Sequence, residues 1–183
     1  MNHQVAPWIQ TFTGLKFCFD QKINQIDIVD IAHALSMQCR YAGHSKFFYS
    51  VAQHCYLSSY LVPDDLRLHA LLHDAAEAYL GDITKPLKQF FGGKYIRLEN
   101  DIQDLINANF GVVETPRSIL DVKIADLQLL RLEAEKVLGN PPIDDWHIDL
   151  PEQDVFQHII QMSPEKAKRK YLERFEWLYG KNH

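Results

Sequence analysis

The chain has 183 residues, 46% of them apolar and 23% charged, with a formal charge of −5 and a pI near 6.0. These are ordinary values for one globular domain with a sizeable core, and the acidic balance argues against a dedicated nucleic-acid or membrane surface. No apolar run approaches the roughly 18 residues that span a bilayer, and the N-terminus, Met-Asn-His-Gln-Val-Ala-Pro-Trp, lacks the basic and apolar regions of a signal peptide. Three cysteines, Cys18, Cys39 and Cys55, are an odd number without Cys-x-x-Cys spacing. They read as small, reduced, buried side chains of a cytoplasmic protein.

In chain order, residues 11–19 alternate loosely through Phe12, Leu15, Phe17 and Phe19, which predicts a short strand or hairpin around Gly14. Asp27 is placed to cap a helix over about 28–38, and residues 40–44 read as a turn. Ser50-Val51-Ala52-Gln53 matches a capping box, so a helix is expected from 51 to about 61. Asp64 is placed to cap the next, about 65–79, with Gly81 just beyond its end. A loop with Pro86 and Gly92-Gly93 precedes a helix near 95–108. Thr115-Pro116 opens a helix reaching about 138, stopped by Gly139 and Pro141-Pro142. An acidic loop over 140–152 leads to a short helix near 153–161, and Ser163-Pro164 starts a last one to about 179. The fold class is therefore all-α, one helical domain over residues 1–183 with a short N-terminal β-hairpin.

Residues 70–80, Ala-Leu-Leu-His-Asp-Ala-Ala-Glu-Ala-Tyr-Leu, set one His, one Asp and one Glu among apolar residues. A helix apolar all round belongs in a core, where unpaired polar groups are costly. The offsets of Glu77 from His73 and Asp74, four and three, put it near both on a helix surface. His54 lies in the apolar pattern Val51, Ala52, Cys55, Leu57, and Asp126 among Val122, Ile124, Leu127, Leu129 and Leu130. Each alone is more often a hydrogen-bonded core residue, a cap or a salt-bridge partner. Together, His54, His73, Asp74 and Asp126 make a two-nitrogen, two-oxygen site for a divalent transition metal. No His occurs between Asp74 and Asp126. Co, Mn, Zn or Fe suits such a donor set, with Mg accompanying substrate phosphates.

The set His54, His73-Asp74, Asp126 resembles the H…HD…D signature of HD-domain metal-dependent phosphohydrolases. Residues 27–35, 39–44, 49–54 and 73–88 (His-Asp-Ala-Ala-Glu-Ala-Tyr-Leu-Gly-Asp-Ile-Thr-Lys-Pro-Leu-Lys) resemble a phage and prophage branch of that superfamily. The branch includes bacterial 5'-deoxynucleotidases and the dATP triphosphohydrolases of phages that replace adenine with 2-aminoadenine. The resemblance covers about residues 11–138. It implies an HD-type helical bundle, His54, His73, Asp74 and Asp126 as ligands of a single principal metal ion, since two-metal members generally place further histidines between the positions of Asp74 and Asp126, and Glu77 as the acid-base carboxylate. It further implies Arg40 and Asp82 as a pair that positions phosphate and the attacking water, and Tyr41 and Pro86 as lining of the nucleoside pocket. Tyr41 departs from relatives that place Trp there.

The expected activity is hydrolysis of a deoxynucleoside triphosphate, dATP foremost, to deoxynucleoside and triphosphate. The alternative is a 5'-deoxynucleotidase acting on monophosphates, and a further class is a non-catalytic nucleotide or metal sensor. Lys46, Lys85 and Lys88 flank the motifs, either as solvated surface or as attraction for an anion. Lys85 is favoured for its place in the Gly81–Pro86 loop. His44 is a candidate for substrate or phosphate contact. His33 and His69 are expected in packing or polar networks, and His3, His147, His158 and His183 at the surface or in loops. The expected partner is a deoxynucleotide, with no nucleic acid and no membrane. The resemblance also implies a homo-oligomer, in which the Trp177/Tyr179 end is open either to an interface or to intramolecular packing.

Overall fold

A computed structural model describes residues 7–20, 24–139, 141 and 147–182. Expectations for the extreme N-terminus, His3, His183 and most of 140–146 fall outside those residues. Strands β1 (Trp8–Gln10) and β2 (Lys16–Cys18) form the antiparallel hairpin, with Ile9 opposite Phe17. Gly14 supplies a φ of +91° in the turn between them. Asp30 ties the hairpin to the first helix, accepting from the Thr13 N–H at 2.6 Å and the Thr13 hydroxyl at 2.8 Å.

The rest is mostly helical: α1 (Ile28–Met37), α2 (Val51–Ser58), α3 (Arg67–Leu72), α4 (Glu77–Leu80), α5 (Lys85–Phe91), α6 (Gly93–Asn109), α7 (Pro116–Val137) and α8 (Pro164–Asn182). Two start signals act as the sequence indicates. Asp27 accepts from the Val29 N–H, and Thr115 forms a reciprocal capping box with Ser118. Ser50 caps α2 by accepting from the Gln53 N–H. Gln53 does not return the bond, because its amide donates instead to the carbonyls of Ile160 and His158. The expected short helix at 153–161 is only a 3-10 turn, Phe156–His158.

Two regions differ instructively from expectation. The stretch 65–79 is not one helix: α3 ends at Leu72 and α4 starts at Glu77. The Gln103 amide stands in the ladder between them, donating to the Leu72 carbonyl at 2.8 Å and accepting from the Ala76 N–H at 3.1 Å. Those two groups would otherwise bond to each other as i and i+4, and a side chain inserted there breaks a helix. Tighter i,i+3 bonds, Ala75 N–H to Leu72 and Glu77 N–H to Asp74, carry the chain across. The expected loop around Pro86 is instead α5, with proline in its first turn, where a missing N–H is harmless.

Two apolar clusters meet at α2 and α3. One joins α1, α2, α3, α4, α6, α8 and Phe17, and the other joins Tyr49, Leu57 and Ala70 to Val122, Ala125, Leu129, Leu132 and Val137 of α7. Helix α8 packs on α1, α2 and α3. Arg174 from α8 ends α2, donating to the Ser59 hydroxyl and carbonyl at 2.9 and 3.0 Å. Tyr179 stacks on Phe175 with ring centroids 5.1 Å apart, so that aromatic end packs within the chain, while Trp177 is partly exposed. No helix among the described residues is long and apolar enough to cross a membrane.

Tyr171 is fully buried and donates to the Leu71 carbonyl at 3.0 Å. Tyr171→Ala should therefore lower unfolding free energy by about 3–5 kcal/mol in a denaturant titration. A loss below about 1 kcal/mol would mean that α8 is not part of the core.

Candidate metal centre

Histidine 54 lies on α2, between the two apolar clusters and without solvent exposure. Its Nδ1 lies 2.8 Å from Glu133 Oε1 on α7. Glu133 is also fully buried; burial alone would raise its pKa, but the Arg40 and His54 charges and the bonds from His54 and Tyr41 pull it to about 2. It is therefore a carboxylate and only accepts, so Nδ1–H of His54 donates. His73 Nδ1 is committed in the same way, 2.8 Å from the Ala70 carbonyl one helical turn back.

Both imidazoles thus turn Nε2 away from these bonds. Each Nε2 is buried without a hydrogen-bond partner. The two point into one space with two carboxylates. Asp74 Oδ2 lies 3.7 Å from His54 Nε2 and 3.3 Å from His73 Nε2. Asp126 Oδ1 lies 3.2 and 4.0 Å from the same atoms. Donor atoms of His54, His73 and Asp74 all fall within 4.8 Å of one another. Two orphaned imidazole nitrogens facing two ionised carboxylates form the donor set a divalent transition metal takes. The tight group is His54, His73 and Asp74, with Asp126 beside it, so all four candidate ligands lie near one another although α3 stops just before His73 and Asp74.

The remaining candidate residues divide by position. Glu77 is buried; Oε1 accepts from Lys88 Nζ at 2.9 Å, while Oε2 has no partner. Burial and the nearby Asp74 charge push its carboxyl well above the ordinary glutamate range, against the pull of Lys88. Asp82 is half-buried, and its N–H donates to the Gln38 amide oxygen at 2.8 Å. The same amide donates to the Glu77 carbonyl at 3.0 Å, so Gln38 clamps the 77–82 segment at both ends. Burial raises the Asp82 carboxyl while Arg40 opposes the shift.

Arg40 lies beside the centre, with NH1 3.7 Å from Asp74 Oδ2 and Nε 3.2 Å from Glu133 Oε2. Tyr41 follows it in a left-handed conformation, φ 60°, as does Ala42, φ 51°. Such consecutive non-glycine residues are sparsely populated and need the surroundings to hold them. The Tyr41 hydroxyl donates to Glu133 Oε2 at 2.7 Å, so this residue is anchored to the back of the centre. His44, Lys85 and Pro86 are exposed, and no described contact draws them to the four ligands. Lys88 is the lysine of this stretch that turns inward, held between Glu77 and Glu99. His69 takes the network role expected of it, 3.0 Å from Glu114, and His33 stacks on Phe12.

Glu133 and the inward role of Lys88 are absent from the sequence reading. A signal for Glu133 does exist. It lies seven residues after Asp126, two turns on along the same face of α7, between Leu132 and Ala134. Lys88 carries no comparable signal, since its direction follows from α5 being helical.

No protein-family model matches the chain. It is 42% identical over 175 residues to the uncharacterized protein YfdR of Escherichia coli (strain K12), covering 92% of this chain and 93% of that protein. It is 34% identical over 144 residues to the uncharacterized protein RCAP_rcc00048 of Rhodobacter capsulatus, covering 72% of this chain and 74% of that one.

The site carries a pH signature. Burial and the Arg40 charge lower the His54 pKa, but Glu133 and Asp126 outweigh them and raise it to about 9 in the metal-free protein. A cation at Nε2 must displace that proton. Affinity for Zn²⁺ or Co²⁺ should thus climb as pH rises toward 9 and level off above it. At pH 7, titration calorimetry in buffers of different ionisation enthalpy should register proton release. Binding with no proton released would contradict this assignment of His54.

Proposed function

We propose that this chain, which belongs to the family of YfdR, is an HD-type metal-dependent phosphohydrolase that cleaves the phosphoester at the sugar end of a deoxynucleotide. The observation that carries the reading is the pair of buried, partnerless Nε2 atoms of His54 and His73 facing Asp74 and Asp126. These four residues would hold the ion. When bound, a divalent cation supplies Lewis-acid charge that makes water acidic near neutral pH and polarises a phosphoryl oxygen.

The chain's own groups provide the rest. Arg40 stays charged, since the Glu133, Tyr41 and Asp74 partners outweigh its burial and hold its pKa well above the usual range. Its guanidinium can hold phosphate oxygens through the donors not engaged by Glu133. Glu77, with one oxygen tied to Lys88 and the other unpartnered, can deliver a proton to the departing sugar oxygen and later accept one. Asp82, fixed through Gln38, can orient the attacking water. A purely structural ion would need none of Glu77, Arg40 or Asp82, which supports catalysis over the sensor reading.

Between the two substrate readings, the charge around the site favours the monophosphate. Arg40, Lys88 and Lys123 reach the centre or Glu77, and each already faces a carboxylate: Glu133 and Asp74, Glu77 and Glu99, and Asp126. A phosphomonoester brings about two negative charges at neutral pH, fewer than a triphosphate, so it asks less of a site whose cations are already paired. The β- and γ-phosphates of dATP would require further cations, for which the exposed Lys85 is the candidate.

Chromatography of products from each deoxynucleoside mono- and triphosphate with Mn²⁺ or Co²⁺ tests this. Inorganic phosphate from monophosphates is the expected result. Inorganic triphosphate would restore the dATP triphosphohydrolase reading, and no hydrolysis of either would leave the sensor. Glu77→Gln should keep fold and bound metal while lowering kcat by about 10²–10⁴-fold. Unchanged turnover would remove Glu77 from the mechanism.

A further inference from the structure

Glu133 has no exposed surface, and its two oxygens face different parts of the site. Oε1 takes the His54 imidazole and the Tyr49 hydroxyl, both at 2.8 Å. Oε2 takes the Tyr41 hydroxyl at 2.7 Å and lies 3.2 Å from Arg40 Nε. A buried carboxylate needs partners, but one arginine would satisfy its charge. Here the carboxylate is instead shared between a metal ligand and the corner that carries Arg40.

We infer that Glu133 is a positioning residue that joins the metal centre to the phosphate-binding corner, holding His54 with Nε2 open through one oxygen and the Arg40-Tyr41 corner through the other. The inference rests on the proposed reading of the site as a metal-dependent phosphohydrolase.

Three features of the molecule support it. The tautomer of a ligating histidine is set by what its other nitrogen bonds, and loss of that partner weakens metal binding. The corner is strained: Tyr41 and Ala42 both lie in the left-handed region, and the Tyr41 hydroxyl is the atom tied to Glu133. Finally, Asp126 and Glu133 share α7, so one rigid element supplies both a ligand and the support of another ligand. A shift of this helix would move His54, Asp126 and Arg40 together.

The division of labour between the oxygens gives each substitution its own signature. Glutamine in place of Glu133 keeps the shape but has one acceptor and one donor end. Whichever way it turns, it presents N–H groups to either His54 or Arg40. Tyr41→Phe removes only a tie on the Oε2 side.

The test uses Co²⁺ affinity by chelator competition, the visible spectrum of the Co²⁺ form, and calorimetric binding of inorganic phosphate to it. Glu133→Gln should weaken Co²⁺ by about 10–100-fold, shift the visible bands and weaken phosphate. Tyr41→Phe should leave Co²⁺ affinity and spectrum as in the wild type and weaken phosphate alone. Wild-type Co²⁺ affinity and spectrum in Glu133→Gln would overturn the inference, and so would a Tyr41→Phe variant that loses Co²⁺ equally. If Glu133→Gln does not fold, ¹⁵N spectra of the His54 ring in the Zn²⁺-loaded wild type decide the matter. A proton on Nδ1 supports the inference, and a proton on Nε2 overturns it. Failure of the wild type itself to bind Co²⁺ would overturn the proposed function along with this inference.

Discussion

The centre depends on where two imidazole protons go. His54 donates its Nδ1–H to Glu133 and His73 donates its own to the Ala70 carbonyl. These acceptors are fixed, one a buried ion and the other a helix backbone atom. With those bonds made, both rings are held in orientation and each turns its Nε2 to the same space. Neither Nε2 makes a well-formed hydrogen bond in this buried space, which is the arrangement a cation would complete. Asp74 and Asp126 supply the negative charge on the facing side.

The surrounding fold can be understood as support for those orientations. Helix α2 carries His54 between two apolar clusters, out of contact with solvent. Gln103 from α6 interrupts the ladder after Leu72, and the tight turns that follow carry His73 and Asp74 out of regular helix. Gln38, just past α1, then holds the Glu77 carbonyl and the Asp82 N–H. Lys88 reaches back from α5 to fix one oxygen of Glu77. The four candidate ligands, Glu77 and Arg40 therefore sit on separate elements but share supports.

What the sequence reveals follows from the range of the interactions. His54, His73, Asp74 and Asp126 are visible because polar residues stand out on apolar helical faces, a local pattern. The caps at Asp27 and Thr115 are visible for the same reason. The break between α3 and α4 is hidden because its cause, Gln103, is 27 residues from Ala76. Glu133 shares a face of α7 with Asp126, a faint local signal, but its role is hidden because its partner His54 is 79 residues away. Lys85 attracts attention through its loop-like neighbours Gly81 and Pro86. The stretch is instead helical, so Lys85 points outward and Lys88, one turn later, meets Glu77 and Glu99.

The central claim is that one divalent ion occupies the space between His54, His73, Asp74 and Asp126 and keeps a position open for water or phosphate. X-ray absorption of the Co²⁺-loaded protein measures this directly. The expected shell contains two imidazole nitrogens and carboxylate oxygens, with at least one further oxygen that exchanges when phosphate is added. A shell without imidazole, or one closed at four protein ligands and unchanged by phosphate, would contradict it.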